Sequence, residues 1–238
     1  MVAQGTLTVR GVMVRFGGVM AVGGVDIDVP TGRVTGLIGP NGAGKTTLFN
    51  VISGMQEATS GTVHVDGAEI TNEAPHRRAR RGLARTFQRL ELFGSMSVRD
   101  NVRVAAELAG IDDVDGTVDA LLARVGLAGR AEHTAGDLPT GSARLVEIAR
   151  ALATNPRFLL LDEPASGLDD NESEQLGQLL RALVADGLAV LLVEHDMGLV
   201  MHVCDHIYVL DLGQIIASGT PDEVQHHPEV LRAYLGAS

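Results

Sequence analysis

The residues best placed to do chemistry are those from Gly39 to Thr46. Gly39-Pro40-Asn41-Gly42-Ala43-Gly44-Lys45-Thr46 follows an apolar run, Val34 to Ile38, and precedes Thr47-Leu48-Phe49-Asn50-Val51-Ile52, which reads as a helix. Glycines in such a loop let the backbone wrap an anion with its N–H groups inward, and the following helix turns its positive end toward it. Lys45 then reaches the β and γ phosphates of a nucleotide, and the Thr46 hydroxyl ligates Mg²⁺. The basic residues single out the same position: eighteen of the nineteen are arginine, and Lys45 is the one lysine. Lysine is a compact charge on a flexible stem where arginine is a planar fork, so a site that keeps lysine amid this bias needs that geometry.

A phosphate loop requires a second buried strand that delivers carboxylates to the metal and to the attacking water. Phe158-Leu159-Leu160-Leu161-Asp162-Glu163 has that form. Asp162 is expected to hold Mg²⁺ through its hydration shell, and Glu163 to take or orient the proton of the water that attacks the γ phosphate.

The elements that must carry these residues show in the hydrophobic pattern. Leu7 and Val9, then Val25, Ile27 and Val29, then Val63 and Val65 alternate at period two, as in half-exposed antiparallel strands. Val34 to Ile38, Phe158 to Leu161 and Leu188 to Val193 run without alternation and read as buried, parallel central strands. Leu176, Leu179, Leu180, Leu183 and Val184 keep a helical period that Gly187 ends. Alternating strands and helices imply an α/β core. Helical segments around Val98 to Leu108 and Thr117 to Val125, with no strand between, predict a helical subdomain inserted over residues 95–135. Thr220-Pro221-Asp222-Glu223 is spaced as a capping box and starts a final short helix.

Composition sets the outer limits. With 238 residues, 45% hydrophobic, the chain is expected to form one large domain or one with a subdomain. Apolar runs of about six residues fall far short of the roughly 18 that a membrane span requires. Met1 to Arg10 carries no secretion-signal pattern, and the single Cys204 excludes an internal disulfide framework and fits a reducing cytoplasm. A net charge of −11 argues against binding along a nucleic-acid backbone.

With the flanking residues added, the sequence resembles the ATP-binding subunits of ABC transporters over essentially its whole length. The resemblance implies a P-loop NTPase α/β core of ABC type, over 1–94 and 136–238, with an antiparallel β subdomain and the inserted helical subdomain at 95–135. It implies ATP and Mg²⁺ as ligands, with Gly39, Asn41, Gly42, Ala43, Gly44, Lys45, Thr46 and Thr47 around the phosphates. In the same way Phe16, in Val14-Arg15-Phe16-Gly17-Gly18, matches the aromatic residue that stacks on adenine. Gln88, in Thr86-Phe87-Gln88, matches the glutamine that senses Mg²⁺ and the γ phosphate; His195 matches the switch histidine at the γ phosphate. Ser166-Gly167-Leu168-Asp169 matches a loop that touches the opposite subunit.

The family signature Leu-Ser-Gly-Gly-Gln is where this sequence departs most. Leu138-Pro139-Thr140-Gly141-Ser142 stands in its place, and Leu138 and Gly141 alone match. In the family this helix start faces ATP held by the other subunit, so backbone donors and helix dipole survive while the serine hydroxyl is lost at Pro139. Ser142 or Thr140 is the candidate replacement. This departure leads to the expectation of a non-identical partner cassette and unequal hydrolysis at the two sites.

Arg85-Thr86-Phe87-Gln88, the helix Leu145 to Leu152, Val193-Glu194-His195-Asp196-Met197, and the tail with Gly219-Thr220-Pro221 and Arg232-Ala233-Tyr234-Leu235-Gly236 resemble cassettes of branched-chain amino-acid uptake systems. The implied partners are a second cassette, integral membrane permeases and an extracytoplasmic solute-binding protein, with the chain peripheral on the cytoplasmic face of the membrane. A spacing of 49 residues between Gln88 and Leu138 is short for this class and leaves other polar solutes open. A soluble non-transport ABC ATPase and a weakly hydrolysing regulatory cassette are the competing readings. Arg77, Arg78, Arg80, Arg81, Arg85 and Arg89 read either as a solvated helix face or as a docking patch for acidic residues or lipid headgroups beside the permease.

Overall fold

The computed structural model describes residues 5–235; residues 1–4 and 236–238, with Gly236 of the tail pattern, lie outside them. In chain order the elements are β1 (Thr6–Phe16), β2 (Val19–Pro30), β3 (Val34–Ile38), α1 (Lys45–Ser53), β4 (Ser60–Val65), β5 (Ala68–Glu69), α2 (Pro75–Arg80) and β6 (Leu83–Arg85). There follow α3 (Val98–Ala109), α4 (Val114–Arg124), α5 (Thr140–Leu152), β7 (Phe158–Asp162), α6 (Asp170–Ala185) and β8 (Ala189–Val193). The chain closes with α7 (Met197–Val203), β9 (His206–Asp211), β10 (Gln214–Gly219), α8 (Pro221–Gln225) and α9 (Pro228–Leu235).

Two sheets form. β2-β1-β4-β5 is antiparallel, and its alternating residues Leu7, Val9, Val25, Ile27, Val29, Val63 and Val65 turn inward. The other has the order β10-β9-β3-β8-β7-β6, parallel except for β10. β3, β7 and β8 are buried at every position, which explains why their sequences are apolar apart from Thr35 and the terminal Asp162. Leu48, Phe49 and Ile52 of α1 join one core with residues of both sheets, among them Val9, Leu37 and Leu191. A second core joins the other sheet face to α6 and to the helices α3, α4 and α5.

Two boundaries differ from the sequence pattern for local reasons. α4 starts at Val114 because Asp113 caps it, its side chain accepting the Gly116 N–H. The final helix is two: α8 has the expected Thr220–Glu223 capping box, and Pro228 starts α9 afresh. In the register, Asp162 pairs with Val193 and Leu37 with Val193, so β3, β7 and β8 end together. Gly39, Glu163 and His195 therefore leave from one edge of the sheet, the carboxyl end where α/β folds bind ligands.

Candidate functional site

The loop from Gly39 leads into α1 through Gly44, whose φ of 107° is left-handed; a side chain there would run into the Ala21 carbonyl oxygen of β2. No side chain caps α1 among the described residues, so the N–H groups of its first turn stay free for an anion. Lys45 Nζ lies over the same loop, donating to the carbonyls of Gly39 at 2.6 Å and Pro40 at 3.1 Å. Burial pulls its ammonium below the ordinary lysine value, while Glu163 and Asp162 pull it back up. Ala21 stands two residues into β2 beside Gly44, so the β1–β2 hairpin tip with half-exposed Phe16 belongs to the loop's side of the molecule.

Asp162 is 2% exposed, and burial pushes its carboxyl above the usual carboxylate range against the opposing charge of Arg85. Arg85 Nη2 donates to Asp162 Oδ2 at 3.2 Å, while Nη1 donates to Asn50 Oδ1 at 2.6 Å and Ser53 Oγ at 2.9 Å. Its guanidinium lies over the Phe87 ring at 4.9 Å and the Phe49 ring at 5.6 Å. Glu163, next along the chain, has a left-handed backbone with φ 51°, uncommon for a residue with a side chain, and its N–H donates to Val193 O at 2.8 Å. That turn brings Glu163 Oε2 within 3.0 Å of Gln88 Nε2, which donates to it, and within 3.9 Å of His195 Nδ1. Gln88 and His195, 75 and 32 positions from Glu163 in sequence, thus meet on one carboxylate oxygen.

The loop suits a nucleotide: positive-φ glycines, free helix donors and the one lysine converge on it. For a metal, no group of three His, Cys, Asp or Glu residues occurs among the described residues. The sequence-predicted metal residues Thr46, Asp162 and Gln88 offer oxygen donors, the chemistry that suits Mg²⁺ shared with phosphate.

Gly141, Ser142 and Asp169 line a separate pocket with Leu168 and Glu172, whereas Leu138 lines a different one with His133 and Asp137. α5 begins after Pro139 with no side-chain cap among the described residues, leaving its first N–H groups free. Gly141 is close-packed: a side chain there would meet Glu172 Oε1 at 2.5 Å. Asp169 caps α6, accepting the Glu172 N–H at 2.8 Å, and Ser142 Oγ accepts from Arg130 at 2.5 Å. No hydrogen bond links this patch to residues 39–47 among the described residues.

Comparison with known proteins gives the family and the fold. Residues 22–166 match the ABC transporter family, and residues 214–238 match the branched-chain amino acid ATP-binding cassette transporter family. A branched-chain amino acid transport ATP-binding protein of Pseudomonas aeruginosa, BraF, is 42% identical, with 97% of each chain covered. The corresponding LivG protein of Escherichia coli is 38% identical over 98% of this chain and 99% of its own. The chain belongs to the ABC transporter ATP-binding family. A solved cassette in its ADP conformation superposes with a TM-score of 0.89 at 33% identity, covering 98% of this chain and 99% of that one. A nucleotide-free cassette gives 0.88 at 32%, covering 97% and 98%. The expected ABC-type α/β fold and the ATPase class are thereby established.

Around the site stand further hydrogen-bonded side chains that sequence reading did not single out. Glu194 is 1% exposed and accepts backbone N–H groups of Ala165, His195 and Asp196. Arg144 donates to the carbonyls of Phe87 and Gln88, and Arg150 to that of Glu91, so α5 holds the segment around Gln88. The arginine cluster is not one face. Arg78 is buried and donates to the carbonyls of Val51, Ile52, Thr71 and Glu73; Arg81 pairs with Glu73; and Arg85 turns inward to Asp162. Arg77, Arg80 and Arg89 remain exposed.

Proposed function

We propose that this cassette binds and hydrolyses ATP to drive uptake of branched-chain amino acids or related polar solutes through membrane permeases. The observation that carries the hydrolytic part is the meeting of Gln88 and His195 on Glu163 Oε2, beside the loop that holds Lys45. Lys45 and the free donors of α1 bind the phosphates, and Phe16 offers its ring to adenine. Glu163 orients the attacking water and takes its proton; Gln88 holds that carboxylate by its hydrogen bond, His195 stands beside it, and both reach the γ phosphate. Mg²⁺, held by Thr46, Asp162 and Gln88, would neutralise charge on the β and γ phosphates.

The second patch supports a two-cassette arrangement. An uncapped α5 start bearing Gly141 and Ser142, with no phosphate loop of its own, suits a nucleotide bound by another cassette, so ATP closes the pair and hydrolysis reopens it. Asp169 lies beside it at that contact. A mostly apolar groove of about 320 Å³ between Met55, Phe87, Ala105, Glu147 and Arg150 adjoins Gln88 and suits a permease segment. In this reading the chain sits peripherally on the cytoplasmic face of the membrane; no helix among the described residues is long and apolar enough to cross one. The transport names of the relatives favour an importer, with its extracytoplasmic solute-binding protein, over a soluble or purely regulatory cassette.

The test is steady-state ATPase activity against concentration, for the chain alone and with partner cassettes, with Glu163→Gln as the blank. Activity that rises with the square of cassette concentration and vanishes in the blank is expected of a competent homodimer. Activity only with a partner identifies an obligate heterodimer; full activity in Glu163→Gln overturns the assignment of the water-activating carboxylate.

A further inference from the structure

Glu194 is the last residue before His195 and its side chain is wholly buried. No arginine or lysine pairs with it among the described residues; its charge is met by main-chain donors. Oε1 accepts the Ala165 N–H at 2.7 Å, and Oε2 accepts those of His195 at 3.0 Å and Asp196 at 3.3 Å. Ala165 belongs to the turn between β7 and α6 that begins at Glu163 and ends at the cap Asp169. One carboxylate therefore joins the loop carrying His195 to the loop carrying Glu163.

The arrangement needs a carboxylate. A buried anion costs free energy unless its oxygens are satisfied, and charge-assisted bonds to backbone N–H groups are the strong kind. A glutamine of the same shape has one accepting oxygen and an amide that would point N–H at N–H. The His195 side chain is 67% exposed, so its position depends on the backbone that bears it. Burial raises the Glu194 carboxyl and its three N–H partners lower it.

We propose that Glu194 is a positioning residue for hydrolysis: it fastens the His195 loop to the Glu163–Asp169 loop, so that imidazole and carboxylate keep their 3.9 Å approach and move as one body. This rests on the reading of Glu163 and His195 given above. With its side chain wholly buried and its oxygens taken by main-chain N–H groups, Glu194 acts through those two residues.

The experiment is a double-mutant cycle in the assembled transporter, comparing wild type, Glu194→Gln, His195→Ala and the double variant, with ATPase kcat and KM and binding of a fluorescent ATP analogue. Glu194→Gln is expected to lower kcat by about tenfold or more with KM held within about twofold, because displacement on the ångström scale costs rate rather than nucleotide affinity. With His195 already removed, the same change should cost less than about twofold further. An equal loss in both backgrounds, or a KM that rises in step, makes Glu194 a purely structural residue and overturns the proposal. Full hydrolysis in His195→Ala overturns the reading of the site itself and is told apart by that single variant. If Glu194→Gln fails to fold, Glu194→Asp replaces it in the same cycle; it keeps the charge but is too short to reach both loops, and an unchanged kcat overturns the proposal equally.

Discussion

Lys45 rests its ammonium on two carbonyls of its own loop, half-buried and facing the carboxylates of Asp162 and Glu163. A phosphate offers it charge-assisted bonds that neutral carbonyls do not match. Lys45→Ala should therefore weaken Mg²⁺-ATP binding by roughly 10- to 100-fold, the value of one bond to a charged group. Calorimetric titration checks this, and unchanged affinity would remove lysine from phosphate binding. Lys45→Arg should not restore binding, because a planar fork cannot reproduce a point charge in so close a loop. The lysine was legible in the sequence because its whole context is contiguous, strand, glycines and helix together. Glu194 was not: its partners Ala165, His195 and Asp196 are backbone groups, and backbone leaves no mark in composition.

α1 presents free donors at one end, and at the other its carbonyls are taken by Arg78. Nη1 of that arginine donates to Val51 O at 2.6 Å and Ile52 O at 2.7 Å, Nη2 to Thr71 O at 2.6 Å and Nε to Glu73 O at 2.8 Å. A positive charge at a helix C-terminus also favours the helix dipole. Arg78→Ala would strand several buried acceptors and is expected to cost about 3–5 kcal/mol in denaturant unfolding. Arg77→Glu, one position away and exposed, should stay within about 0.5 kcal/mol. Equal effects of the two would show that the buried arginine does not hold the helix. The sequence could not separate these neighbours, because a six-residue helix such as α2 carries too little periodicity to mark which arginine faces in. Asp162 and Glu163, by contrast, were legible at once, since a strand buried on both faces is apolar throughout and two acids at its end stand out against that run.

At the scale of the whole molecule, two sheets share one core with α1 between them, and β3 is buried on both faces. Cys204 packs against it, its Sγ 2.9 Å from where a side chain on Gly36 would begin. Burial pushes that thiol up to about 12 from 9.0. The folded state then holds a proton that the unfolded state releases. Stability from this source is full below about pH 9 and falls by about 1.4 kcal/mol for each pH unit toward 12. Denaturation midpoints between pH 9 and 11 should show this slope reduced in Cys204→Ala; the raised Tyr208 and Tyr234 hydroxyls add a smaller slope of the same sign that remains. Identical slopes in the two proteins would refute it. The parallel setting of the central strands was legible in their apolar runs, but their order and common edge come from the pairing itself; the meeting of Gln88, Glu163 and His195 was legible through family resemblance alone, because it joins three loops far apart in sequence. One consequence of the single lysine reaches beyond nucleotide binding. A lysine-specific endoprotease can cut this chain at one place, between Lys45 and Thr46, in the first turn of α1. A bond held in a helix cannot be drawn out as the extended strand such an enzyme requires. The rate of that single cleavage thus reports how often the phosphate loop comes undone, and nucleotide should slow it.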